Sequence, residues 1–193
     1  MKLKGMSLVV TAVLLAACSP KGEALYQRAE KSLTAGEINA AVIDLKNLVK
    51  DEPQNGKARA LLAAALVQGG DIGGAAIEIQ KAKDLGAPAE SLLVPECRVM
   101  VAKSEFEQAL EKCKPEGTTG NVKTEMQIAQ GRALLGLERA AEAKPQFEAA
   151  HAADANNLEA LLGLAGATYA LEGLPAAKAV MEKASPDIQK KSA

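Results

Sequence analysis

Few residues of this 193-residue chain have types and spacings that could do chemistry. There is one histidine, His151, and there are three cysteines, Cys18, Cys97 and Cys113. That inventory excludes a Cys/His zinc cluster and makes His-based catalysis a poor expectation. His151 falls near the end of an expected helix, where a solvated or dipole-facing side chain is the simpler reading. Carboxylates such as Glu105, Glu107 and Glu111 are spread as a solvated helical face, not gathered as a catalytic pair. Gly69-Gly70 and Gly73-Gly74 flank Asp71-Ile72, but no strand leads into them, so they do not read as a phosphate loop. No catalytic residue, cofactor or metal is therefore expected. The pair that stands out is Arg98 and Arg132, 34 residues apart. Two guanidinium groups side by side could hold a carboxylate through forked hydrogen bonds.

The same 34-residue step runs through the chain. Ala41, Ala75, Ala109, Ala143 and Ala177 are spaced by it without a gap. Four residues after each stand Leu45, Ile79, Cys113, Phe147 and Met181. Twelve before stand Ala29, Ala63, Cys97, Gly131 and Ala165; nine before stand Ser32, Leu66, Met100, Leu134 and Thr168. Small residues recur where two helices must approach, and larger ones one turn later can plug into the next unit. Composition agrees. Apolar residues make up 48% but aromatics only 2%, the difference being 39 alanines, which suit close-packed helices and not strands.

These columns resemble the tetratricopeptide repeat (TPR), a helix-turn-helix of 34 residues. The resemblance implies an all-α solenoid of five repeats over residues 23–184, each unit burying its face on its neighbours. The expected helix pairs are 23–34 with 37–50, 56–68 with 72–84, 90–102 with 105–113, 122–135 with 139–153, and 158–170 with 174–184. Gly36 and Gly70 sit at inter-helix turns that need a left-handed residue. Repeat 3 departs most: its second helix should break before Pro115, and Glu116-Gly117-Thr118-Thr119-Gly120 reads as a loop. Cys97 and Cys113 are expected to be free, buried thiols. On ideal antiparallel helices Cys97 faces Ala109, and the added offset of about 6 Å along the axis puts Cys113 out of disulfide reach.

In this repeat the inner wall of the solenoid comes from the first helices. Two of its columns are apolar here, including Tyr26, Val94, Ile128 and Leu162 in one and Val67, Val101, Leu135 and Tyr169 in the other. Arg98 and Arg132 lie between them. Such a wall would form an exposed patch for a protein or peptide partner, with the two arginines as a cationic spot for a carboxylate. The alternative is that each arginine pairs with a nearby glutamate such as Glu125.

The first residues read as an address. Lys2 and Lys4 precede Met6–Ala17, twelve residues without a charge, too short to span a membrane. The run ends Leu15-Ala16-Ala17-Cys18. This resembles the bacterial lipobox, which implies a signal peptide over 1–17, cleavage, lipidation of Cys18 and a short tether over 18–22. Several acyl chains would hold the protein to the cell envelope. Ser19 after the cysteine implies the outer membrane, facing the periplasm. From Cys18 on there are 21 basic and 24 acidic residues, so nothing advertises nucleic acid or anionic lipid. Residues 185–193 read as a tail, with no polar capping helix after Ala184.

The stretch Gly36-Glu37 through Ala41-Val42-Ile43-Asp44-Leu45-Lys46-Asn47-Leu48, with Ala58-Arg59-Ala60-Leu61-Leu62 and Lys81-Ala82-Lys83-Asp84-Leu85-Gly86, resembles the opening repeats of the TPR lipoproteins of the PEP-CTERM/exosortase system. That likeness implies a non-enzymatic scaffold in surface polysaccharide export or protein sorting. Assembly of pili or outer-membrane proteins is an alternative setting. An envelope hydrolase is the alternative class, opposed by the missing catalytic constellation.

Overall fold

The computed structural model describes residues 20–183 as ten helices without a strand among them. They are α1 (Pro20–Thr34), α2 (Ile38–Asp51), α3 (Gly56–Gln68), α4 (Ile72–Asp84), α5 (Ala89–Ala102), α6 (Phe106–Lys112), α7 (Gly120–Gly136), α8 (Ala140–Ala153), α9 (Leu158–Glu172) and α10 (Leu174–Glu182). The expected signal segment 1–17, Cys18 and the tail 185–193 lie outside the described residues.

Odd and even helices form antiparallel pairs. Each second helix also packs on the first helix of the next unit, and successive first helices pack on one another from α1 to α9. This is the expected α-solenoid of five helix-turn-helix repeats. The register is visible in the turns. The amides of Glu37, Asp71, Glu105 and Arg139 each donate to the carbonyl five residues back, at 2.8–2.9 Å. The residue before each is left-handed: Gly36, Gly70, Ser104 and Glu138, with φ of 76°, 81°, 60° and 60°. Only two of these four sites carry the glycine that such a φ favours. Side chains start several helices. Asn55, Asp71 and Asn157 accept from the amides of Ala58, Gly74 and Ala160, satisfying donors that a helix leaves open.

The alanine columns do what their size allows. Ala41, Ala75, Ala109 and Ala143 are fully buried between paired helices. The larger column plugs inter-repeat gaps, with Leu45 and Phe147 fully buried and Ile79 nearly so. Phe147 is the largest. A β-carbon on Gly131 of α7 would come within 2.7 Å of its ring, and one on Gly163 of α9 would overlap it outright. Two glycines thus make the slot that one aromatic ring fills.

Repeat 3 corrects the expectation of free thiols. Cys97 and Cys113 form a disulfide, with Cα atoms 5.7 Å apart and both side chains fully buried. The expectation kept Cys113 on the ideal axis of a helix over 105–113, antiparallel to its partner. Instead α6 ends at Lys112, and Cys113 is its cap residue with φ −88° and ψ 53°. Off the helical path, Cys113 turns in toward α5. Pro115 and the following loop cut α6 to seven residues, as the sequence anticipates.

Candidate functional site

The inner wall is built by α3, α5, α7 and α9, and the structure splits the expected groove residues into three groups. Val67, Arg98, Val101, Ile128 and Arg132 line one small cleft of about 150 Å³, together with Ile72, Glu125 and Glu159. Arg132, Leu135 and Leu162 line a second, more apolar groove of about 500 Å³, with Leu158, Phe147, Glu159 and Gly163. Tyr26 and Val94 join neither: Tyr26 packs on the core of the first two repeats, and Val94 on the cluster around Cys97. Tyr169 stands exposed further along α9.

This corrects the expectation of one continuous exposed patch. Val67 keeps 8% of its surface and Ile128 2%, so these columns are core in the middle of the array. First helices packed on one another cover their own inner faces there. Only toward the last repeat does the wall open, where Leu162 is 51% exposed.

The arginines do stand near one another, but as an ion-pair ladder. Arg98 donates from Nε to Glu125 at 2.9 Å and from Nη2 to Glu159 at 3.0 Å. Arg132 donates to the other carboxylate oxygen of Glu159. Glu159 therefore bridges both guanidiniums. Burial lowers the Arg98 pKa, but Glu125 and Glu159 outweigh it and hold the group above its ordinary value. Two cations and two anions cancel, so the expected cationic spot is neutralised, and pairing with glutamate is what the structure shows. Its effect is positional: the ladder ties α5, α7 and α9 together at the boundary between the small cleft and the apolar groove.

Glu159 was not among the expected site residues, and the signal for it is a spacing. Arg98 to Glu125 and Arg132 to Glu159 are both 27 residues. That is one repeat less two helical turns, which places each glutamate on the next first helix, opposite its arginine. Gly163 and Phe147 were also missed as groove lining. Gly163 leaves the floor open because any side chain there would collide with the Phe147 ring.

No family model matches the sequence, and no curated protein matches it. Solved structures do match. MamA from Desulfovibrio magneticus RS-1 is similar with a TM-score of 0.59 at 15% identity, over 91% of this chain and 98% of that one. PilF of Pseudomonas aeruginosa is similar with a TM-score of 0.59 at 19% identity, over 84% of this chain and 74% of that one. YrrB, a TPR protein with an unusual peptide-binding site, is similar with a TM-score of 0.51 at 18% identity, over 90% and 94%. At such identities the likeness is one of fold, and the fold shared is the TPR solenoid.

Proposed function

We propose that this chain is a non-enzymatic scaffold, held to the bacterial envelope through Cys18, that captures a protein segment in the apolar groove between its fourth and fifth repeats. The observation that carries this reading is the groove itself. Leu135, Leu158 and Leu162 leave apolar surface open on the inner wall, while Val67, Val101 and Ile128 in the middle of the array are closed by packing. An apolar concavity rimmed by a neutralised ion-pair ladder suits an extended or helical segment with aliphatic side chains. The peptide-binding site of YrrB supports a protein ligand on this kind of scaffold. The groove being apolar and the ladder neutral, binding depends weakly on salt.

The address rests on Lys2, Lys4, the uncharged run Met6–Ala17 and Leu15-Ala16-Ala17-Cys18. Helix α1 begins at Pro20, two residues after Cys18, so a lipid on that cysteine would hold the first repeat close to the bilayer. The resemblance of the first two repeats to PEP-CTERM-system lipoproteins supports a setting in polysaccharide export or exosortase-linked sorting. Assembly of pili or outer-membrane proteins is the alternative setting for the same scaffold, and gene neighbourhood separates the two.

Two variants test the reading. Cys18→Ser should lose fatty-acid labelling and leave the membrane fraction. Leu135→Asp/Leu162→Asp should keep full helicity and membrane attachment yet lose the partner recovered with wild type from native membranes. An unlabelled wild type refutes the anchor. Unchanged partner recovery by the double variant refutes the groove.

A further inference from the structure

Repeat 3 breaks the pattern at one element. Helix α6 has 7 residues, where α2 and α8 have 14 and α4 has 13. The closing turns of those longer helices bury Leu45 and Leu48, Ile79 and Ala82, or Phe147 and Ala150. In repeat 3 the same two columns hold Cys113 and Glu116, and Glu116 is exposed in the loop beyond the helix. Within α6 only Ala109 is buried. A helix this short is not held by its own backbone bonds. Its end is fixed instead by two consecutive attachments to α5: Lys112 pairs with Glu96, and Cys113 is bonded to Cys97.

The disulfide also lies under the inner wall. Val101 of α5 and Ala129 of α7 pack in the cluster around it and line the small cleft on their other side. Arg98, the first rung of the ladder, follows Cys97 directly on α5.

We propose that oxidation of the Cys97/Cys113 dithiol is the step that docks α6 and completes the inner wall of repeat 3, so that this unit is fully assembled only where a disulfide-forming oxidant is present. In the dithiol chain the column filled elsewhere by Leu, Ile or Phe holds a thiol too small to anchor a seven-residue helix. The covalent bond replaces the missing burial. The chemistry is thiol–disulfide exchange with an oxidant of the disulfide class, R–S–S–R. The Cys113 thiolate, on the undocked end of α6, attacks one oxidant sulfur and releases the first R–SH. The Cys97 thiolate then attacks Cys113 Sγ in the mixed disulfide and releases the second. The two cysteines lose two electrons and two protons, and these leave on the two R–SH molecules. With both sulfurs buried, the finished bond is shielded from attack by solvent thiols, and the step is a lock set during folding in an oxidising compartment. The docking of α6 does not rest on the groove reading above.

The test is amide hydrogen exchange on the whole chain, refolded either with oxidised glutathione or with dithiothreitol. Exchange in α6 should be about a hundredfold faster in the reduced chain, while α2 keeps its protection in both. Cys113→Leu, refolded reduced, should recover part of the protection of α6, because it refills the apolar column. Equal protection of α6 in both states, equal losses in α2 and α6, or no recovery in Cys113→Leu would overturn the proposal. No partner enters the measurement, so its failure and the failure of the groove reading are told apart.

Discussion

Single glycines in this chain carry opposite consequences three residues apart. Gly163 and Gly166 both lie inside α9, where alanine is intrinsically the better helix former by about 1 kcal/mol. At Gly163 that gain is lost, because a β-carbon overlaps the Phe147 ring and the fully buried ring has nowhere to go. At Gly166 the nearest atom to a new β-carbon would be Leu135 Cδ1 at 3.8 Å. Gly163→Ala should therefore destabilise by about 1–3 kcal/mol and Gly166→Ala should stabilise by up to about 1 kcal/mol. Thermal unfolding followed by circular dichroism checks both signs. A second residue-scale outcome concerns Glu96, a buried carboxylate paired with Lys83 at 2.5 Å and with Lys112. Burial alone would raise its pKa, but Lys112 and Lys83 outweigh burial and hold it below its ordinary 4.5. Glu78, beside Lys81 and Arg59, is depressed in the same way. A depressed carboxylate binds fewer protons folded than unfolded. Its stabilisation is complete above pH 4.5 and is lost as pH falls through the lowered folded value. The melting temperature should drop steeply on that side, and Glu96→Gln should flatten the drop while costing about 1–2 kcal/mol at neutral pH. These residue pairs were only partly legible in the sequence. Glycine shows the left-handed turns at Gly36 and Gly70, but Ser104 and Glu138 adopt the same φ without the residue type that signals it. Glu159 hides for a similar reason: an acidic residue on a helix is ordinarily solvated, and only its reach to two arginines from different repeats sets it apart.

At the scale of elements, the repeat period places all ten helices to within three residues at either end, because every unit solves the same packing problem with the same columns. Helix α6 is where the packing inferred from those columns departs from the structure. Its shortening is readable from Pro115, yet the consequence for Cys113 is not, since an offset measured along ideal axes does not apply to a residue that has left the helix. The energetics are of matching size. A bond closing a sequence separation of 16 residues contributes about 3 kcal/mol, and burying one Leu or Phe side chain contributes about 1.5–3 kcal/mol. One disulfide can therefore stand in for the Leu45-type plug that repeat 3 lacks. The inner wall shows the opposite failure. Its columns were read correctly as apolar, but periodicity alone cannot say which members are covered by the neighbouring first helix. Val67, Val101 and Ile128 are covered, and Leu162 is not.

Across the whole molecule the repeats are equal in architecture and unequal in surface. The first repeat presents Gln27 and Lys31 to solvent on α1, where later units place Leu61, Pro95, Ala129 and Gly163 in the one column and Ala65, Val99, Ala133 and Ala167 in the other. Toward the other end Leu162, Tyr169, Leu171 and Leu174 are exposed. Open apolar surface on the inner wall thus belongs to the later repeats, next to the ladder that fixes α5, α7 and α9. Ile43 and Ile77, exposed on second helices 34 residues apart, supply a matched control on the opposite face. Whether the partner is held in the groove is read out by placing a photo-activated cross-linking residue at Leu162 or at Ile77 in the full chain made in cells. A partner held there gives a discrete protein adduct from Leu162, abolished by Leu135→Asp, and none from Ile77. An adduct from Ile77 with none from Leu162 would contradict it.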